Sequence, residues 1–275
     1  MSSLVVNTNL SALAAYNNLN ATDMQNTAAI EHLSSGLQIE TAADGPSQYV
    51  QAQALEAQSN GYQTAISNAQ NGVSLIQTAS GALNQISDIL QTMNQLALAS
   101  SNGATNDPTA QAANQQEFAA LSADISTIAN TTSYGSTTLL DGTFTSQSLQ
   151  VGAFDLSNQQ LSVSISAANA GALGITGVSV GSAASAQAAV SVVQAAIATV
   201  DTIEAGVGAL QNELQSLVAN LTVGQQNLAA AHSQIVDTNM AQEMTTYTRD
   251  QILMQSGTAM LSQAQQAPQL VLKLV

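Results

Sequence analysis

Cysteine and tryptophan are absent, and the only basic residues among 275 are Arg249 and Lys273. Without thiols there is no disulfide framework and no thiolate chemistry. Two cations against 17 acids leave a formal net charge of −15. Nucleic-acid binding needs a basic footprint and is excluded as a function. Anionic membrane surfaces are excluded as partners too, because there is no polybasic segment. Two readings fit the imbalance: simple solubility, and adaptation to an acidic or salty exterior where carboxylates are protonated or screened. No unbroken apolar run reaches the roughly 18 residues of an ordinary transmembrane helix. The opening MSSLVVNTNL lacks the basic n-region and long apolar h-region of a secretory signal. An extracellular destination would therefore require export that reads no cleaved signal.

Hydrophobic residues make up 45 % of the chain and aromatics only 3 %. A core must therefore be built from Ala, Leu, Ile, Val and Met, which suits slim helices packed along their lengths. The strongest pattern lies at 190–235. Alternate steps of three and four give Val190, Val193, Ile197, Val200, Glu204, Val207, Gln211, Leu214, Val218, Leu221, Gln225, Leu228, His232 and Ile235. Ten of these are apolar and no proline interrupts them. Such spacing draws one stripe along a helix and demands a partner helix with a matching stripe. This helix would run roughly 70 Å at 1.5 Å per residue. A globule of this length would measure only about 50 Å across. The expected fold is mostly α: an elongated rod of long coiled-coil helices.

Pro46, Pro108 and Pro268 punctuate the chain. The segment 4–33 sets Leu10, Leu13, Leu19, Met24, Ile30 and Leu33 at loosely helical spacing, before the breaking turns at Ser34-Ser35-Gly36 and Ala43-Asp44-Gly45-Pro46. A second helix is expected over 47–101, with Ile66, Ala69, Val73, Ile76, Ser80, Leu83, Ser87, Leu90, Asn94 and Ala97 in heptad steps. A third follows over 108–130 with Phe118, Leu121, Ile125 and Ile128. Turn signals at Tyr134-Gly135 and Asp141-Gly142, with strand-like alternation at 149–151 and 161–165, mark 131–180 as a small β-hairpin region with Gly-rich loops. The last segment, 237–267, is double-striped. Met240, Met244, Tyr247, Met254, Thr258 and Leu261 form one face; Leu253, Gly257, Met260 and Ala264 form a second. A helix apolar on two sides must be covered from two sides. Asp107 and Asp237 are placed to cap helices.

Nothing in the sequence composes an active site. His32 and His232 have no ligand partner at metal spacing, and the acids form no paired-carboxylate motif. The glycines around Gly171, Gly174, Gly177 and Gly181 lack the Gly-Lys-Ser/Thr ending of a phosphate loop. Sequons at Asn20, Asn130 and Asn220 are of a kind frequent by chance in an Asn/Thr-rich chain. No catalytic residue, cofactor or metal is expected, and the chain is read as a non-enzyme.

Several motifs in order carry a resemblance. Val6-Asn7-Thr8-Asn9-Leu10-Ser11-Ala12-Leu13, Leu33-Ser34-Ser35-Gly36-Leu37 with Ala42-Ala43-Asp44, and Asn71-Gly72-Val73-Ser74-Leu75-Ile76-Gln77-Thr78-Ala79 resemble bacterial flagellin. So do Leu139-Leu140-Asp141-Gly142, Asp237-Thr238-Asn239-Met240-Ala241, Gly257-Thr258-Ala259-Met260-Leu261 and Gln265-Gln266-Ala267-Pro268. The middle is short, so the chain resembles a minimal flagellin lacking the outer inserted domains.

The resemblance implies a structural subunit that polymerises into the hollow flagellar filament used for motility. Its disordered termini would fold as they bury apolar faces against neighbours. It also implies five parts: an N-terminal filament-core helix (1–40), N-terminal rod helices (41–130), the hairpin region (131–180), the long C-terminal rod helix (181–236) and a C-terminal filament-core helix (237–275). The N- and C-terminal helices would pair. Subunit contacts would then fall on Leu10, Leu13, Leu19, Met240, Met244, Tyr247, Leu253, Met254, Gly257, Met260, Leu261 and Ala264. The rod core would be Ile66, Val73, Ile76, Leu83, Leu90, Phe118, Leu121, Ile125, Val193, Ile197, Val200, Val207, Leu214, Leu221 and Leu228.

Further implied are self-association, an export chaperone, cap and junction proteins, and an extracellular place reached by type III export without a cleaved signal. A junction or adaptor protein of the same appendage is the alternative. Basic residues usual in the family are replaced, by Gln38 and along Thr92-Met93-Asn94-Gln95-Leu96-Ala97. Salt bridges between subunits cannot form there, and recognition by an innate toll-like receptor is expected to be weak.

Overall fold

The computed structural model describes residues 8–104, 107–154 and 156–272. The first seven residues of the 1–40 segment, and Lys273, lie outside them. Five α-helices dominate: α1 (Leu10–Ser35), α2 (Pro46–Ser101), α3 (Pro108–Thr131), α4 (Ala183–Val236) and α5 (Met240–Leu272). Of the described residues, 74 % are helical. Two antiparallel hairpins interrupt the helices. One pairs β1 (Ser133–Tyr134) with β2 (Thr137–Thr138); the other pairs β3 (Gln147–Gln150) with β4 (Gln160–Val163). The mostly α class with a small β-hairpin region is the one expected, with helix ends within a few residues of the sequence reading at 46, 108 and 183. The tiny first hairpin was foreseen only as a turn, since strands of two residues carry no alternation.

The chain divides into two units, residues 58–227 and residues 1–57 with 228–275. In the first, α2 and α4 lie antiparallel. Tyr62 packs on Gly224, Gln225 Nε2 donates to Gln63 Oε1 at 2.7 Å, and Leu214 packs beside Gly72. The two heptad stripes account for this. Ile76, Leu83, Leu90, Val193, Val200 and Leu214 are fully buried, and Val207, Ile66 and Leu221 nearly so. Val73 and Ile197 pack against the same core from partly buried positions. α3 joins through Phe118 and Ile125, with Leu121 alongside. Its N-terminal half is tied down by Asn114 Nδ2 donating to Ser100 Oγ, and by Gln115 Oε1 accepting from Ser179 Oγ and from the Val180 amide. Asp107 caps α3 as expected, its Oδ1 accepting from the Ala110 amide at 2.7 Å.

The β3–β4 hairpin sits directly on α2. Asn68 Nδ2 donates to Gln150 O. A Cβ at Gly61 would come within 2.6 Å of Ala153 Cβ, and one at Gly72 within 2.7 Å of a Leu149 methyl. Gly61, Ala65, Asn68 and Gly72 recur at 4-3-4 spacing, a small-residue face that lets the hairpin approach the helix backbone. Below it, Leu139, Leu140 and Ile165 are fully buried. Asp141 closes the adjoining turn by accepting from the Thr138 hydroxyl and from the amide and hydroxyl of Thr143.

α4 is long and apolar enough to cross a membrane by length and composition alone, with mean hydropathy 1.5 over its best window. No unbroken apolar run marks it; average hydropathy tolerates the Gln, Ser and Thr interspersed among its alanines and valines. Its apolar stripe is spent on the protein core.

Within that stripe Glu204 is the one carboxylate. It is partly buried, and its Oε1 has no hydrogen-bond partner among the described residues. Burial, then the neighbouring Asp201 and Asp88 carboxylates, push its pKa up from 4.5. A raised folded-state value means stability that is full below the unfolded pKa and is lost as pH climbs through the folded one. Glu204→Gln should therefore raise the melting temperature at pH 7, and the gain should vanish below pH 4.5. Paired thermal melts at the two pH values check it; an equal gain at both would remove the electrostatic cause. Asp44 and Asp141 act in the opposite sense. Hydrogen bonds led by the Thr41 amide, and for Asp141 by the Thr138 hydroxyl, hold their carboxyls below 3.8. Their contribution is lost as pH falls through those lowered values.

Candidate assembly surface

The second unit is built around α1 and α5, which pack antiparallel. Asn9 caps α1, its Oδ1 accepting from the Ala12 amide, while its Nδ2 donates to Ala264 O at 2.7 Å. Leu19 lies over Gly257, and His32 Nδ1 is 3.3 Å from Glu243 Oε1. α1 ends at Gly36, whose φ of 76° is left-handed and whose amide donates to His32 O. An antiparallel bridge then pairs Leu37 with Asp237, flanked by Gln38 N to Val236 O and Thr238 N to Gly36 O.

This bridge corrects the expectation that Asp237 caps α5. The Asp237 backbone is engaged with Leu37 and Ser233, its carboxylate accepts from the Ser233 hydroxyl, and α5 starts only at Met240. Asn239 Oδ1, accepting from the Gln242 amide at 3.3 Å, stands at the helix start instead.

Leu19 against Gly257 sets the register of the whole pair. Counting outward from it along an antiparallel pair places Ala12 opposite Ala264, Ala15 opposite Leu261, Thr22 opposite Met254, Asn26 opposite Asp250, and Ala29 opposite Tyr247. Every one of these side chains is buried or half-buried. The seam is thus small, partly polar, and mostly sets one large residue against one small one. The large apolar side chains point elsewhere. Leu10, Leu13, Tyr16, Met24 and Ile30 of α1, and Met240, Met244, Ile252, Leu253 and Met260 of α5, are all about half exposed or more.

The terminal residues named from sequence therefore divide. Leu10, Leu13, Met240, Met244, Leu253 and Met260 face outward, whereas Leu19, Tyr247, Met254, Gly257, Leu261 and Ala264 lie in the α1–α5 seam. Gly257 and Ala264, placed by sequence on a different face from Tyr247, Met254 and Leu261, share theirs. The two stripes are adjacent on the helix, and weighting by apolarity favoured the methionines over Gly257. Tyr16, Met24, Ile30 and Ile252 belong with the outward set; a helical wheel of α1 shows the first three.

Exposed apolar surface of this extent on two paired helices is of the kind found at protein–protein and membrane contacts. Each such Leu or Met gains roughly 1.5–3 kcal/mol when fully covered. Among the described residues no group of three His, Cys, Asp or Glu is placed to hold a metal ion. Elsewhere, Leu228 is half-buried near the end of α4, and the Asn side chains of the three sequons are exposed. Thr92 and Gln95 are exposed, while Asn94 is half-buried with its Oδ1 unpartnered.

The family description "Bacterial flagellin N-terminal helical region" matches residues 6–145, and "Bacterial flagellin C-terminal helical region" matches residues 190–275. The chain belongs to the bacterial flagellin family. It is similar to a flagellin of Halalkalibacterium halodurans, 38 % identical over 275 residues covering 99 % of this chain and 100 % of that one. The crystal structure of Bacillus cereus flagellin matches with a TM-score of 0.51 at 26 % identity, across 60 % of this chain and 94 % of the other. A putative flagellar hook-associated protein from Vibrio parahaemolyticus shares the fold, with a TM-score of 0.58 at 14 % identity over 70 % of this chain and all of the other. The flagellin match thus takes in both terminal helices, while residues 146–189 fall between the two matched regions.

Proposed function

We infer that this chain is the structural subunit of a bacterial flagellar filament, an extracellular, self-assembling motility polymer with no catalytic step. The observation that carries this is the α1–α5 pair. Its inner seam is small and polar, its outer faces are large and apolar, and it lies in the two regions that match flagellin. The residues 1–40 and 237–275 form the filament core, 41–130 and 181–236 the rod, and 131–180 the hairpin region. The outward residues of α1 and α5 close onto neighbouring subunits. Export proceeds through a type III apparatus without a cleaved signal, with a chaperone, cap and junction proteins as partners.

Electron microscopy of the purified chain seeded with filament fragments tests the reading. Long homopolymers are expected. Addition that stops after one or a few copies would assign the chain to a junction or adaptor role instead.

A further inference from the structure

The middle of the α1–α5 seam holds two polar side chains that neither the helix pairing nor the outward apolar faces require. Asn26 is 6 % exposed and Asp250 only 1 %. Asp250 Oδ1 accepts from Arg249 Nε at 3.1 Å, while its Oδ2 has no partner among the described residues. The Asn26 Nδ2 has none either. Asn26 stands one heptad from Leu19, and Asp250 one heptad from Gly257, so the unmatched donor and the unmatched acceptor occupy the same layer.

We propose that Asn26 and Asp250 are a register-specifying pair, restricting α1 to one alignment with α5 during assembly. The proposal rests on the filament-subunit reading. The large–small pattern of the seam cannot supply that restriction. Sliding α5 by seven residues sets Leu19 against Ala264, Thr22 against Leu261 and Ala29 against Met254, again one large residue against one small one. What objects is the polar layer: Asp250 would meet Leu33, and Asn26 would meet Gly257. Each would then be buried with nothing of complementary charge or hydrogen-bonding character. The reverse slide puts Asp250 against Leu19 and Asn26 against Glu243.

Within one chain the Leu37/Asp237 bridge also holds the near end of the pair. Beyond that bridge only the side chains of the seam can reject a shifted alignment of the two helices. A buried polar residue in an otherwise apolar seam selects register in this way, at a cost in stability.

The test uses the absence of cysteine. Asn20→Cys and Gln265→Cys, both at exposed positions, take spin labels. Labelled chains are diluted into unlabelled filaments, and the distance between the labels is read. The native seam should give one population. In Asn26→Ala/Asp250→Leu, which keeps the large–small pattern, a second population displaced by about 10 Å, one heptad of rise, should join it. Asp250→Leu alone leaves the buried Asn26 amide with only hydrocarbon in its layer and should raise the critical concentration for assembly roughly tenfold. The exchanged pair Asn26→Asp/Asp250→Asn should restore one population and a near-native critical concentration.

A single unshifted distance in the Ala/Leu variant overturns the proposal. So does an exchanged pair that assembles as poorly as Asp250→Leu. Failure of the unsubstituted labelled chain to form filaments at all would count against the filament-subunit reading, not against the pair.

Discussion

Deleting residues 258–275 should abolish polymerisation while leaving the unit built on residues 58–227 folded. The truncation removes Leu261 and Ala264 from the seam and strips Ala12 and Ala15 of their partners. It also takes away the carbonyl that receives Asn9 Nδ2 and the outward Met260, 65 % exposed in the single chain. What remains of α5, 240–257, ends at the layer of Leu19, so the first turns of α1 have no partner left within the chain, and helical stability in proteins comes mostly from such packing. The other unit keeps its own core from Ile66 to Leu221. Sedimentation of polymer, beside circular dichroism of the soluble fraction, measures both halves of the expectation. Filaments of ordinary length from the truncated chain would refute a role for the C-terminal helix in assembly.

Phe118→Ala should be the most destabilising single change in the unit formed by 58–227. Phe118 is 1 % exposed and is the largest fully buried side chain. It comes from α3, which has few other anchors: Ile125, Ala129 and the partly buried Leu121 and Ile128. Truncating a buried Phe to Ala typically costs about 3–5 kcal/mol, because the cavity collapses only in part. For a unit of this size each kcal/mol moves the midpoint by roughly 2–4 °C, so a fall of about 10 °C is expected. Calorimetry of the soluble chain measures it. A drop of a degree or two would mean that α3 is held by its capping bonds and not by the core.

The heptad stripes of α2 and α4 were legible because one face had to be apolar and the steps never faltered. Val193, Val200, Val207 and Leu214 fell where the spacing put them. The terminal pair resisted the same reading for a physical reason. Its seam is built from Ala12, Ala15, Thr22, Asn26, Asp250 and Gly257, residues that give no apolar signal. The residues that do give one, such as Met24 and Met260, point outward. A pattern search finds the greasiest face, and on these helices that is not the face used within the chain. The hairpin region was legible as turns and alternation. The face that receives it on α2, at Gly61, Ala65, Asn68 and Gly72, was recognisable only as a run of small residues with no evident purpose. Asp237 failed as a cap because a residue type suited to capping cannot do so once its backbone is committed to a bridge.

Asn9 serves two helices at once. Its carbonyl oxygen closes the first turn of α1, and its amide reaches across 255 positions of sequence to the carbonyl of Ala264. Fraying at the start of α1 or around Ala264 therefore releases the other. In hydrogen exchange the amides near Leu13 and those near Ala264 should open together, as one cooperative event. The order of synthesis adds a delay: Asn9 cannot complete its ties until Ala264, made 255 residues later, has emerged.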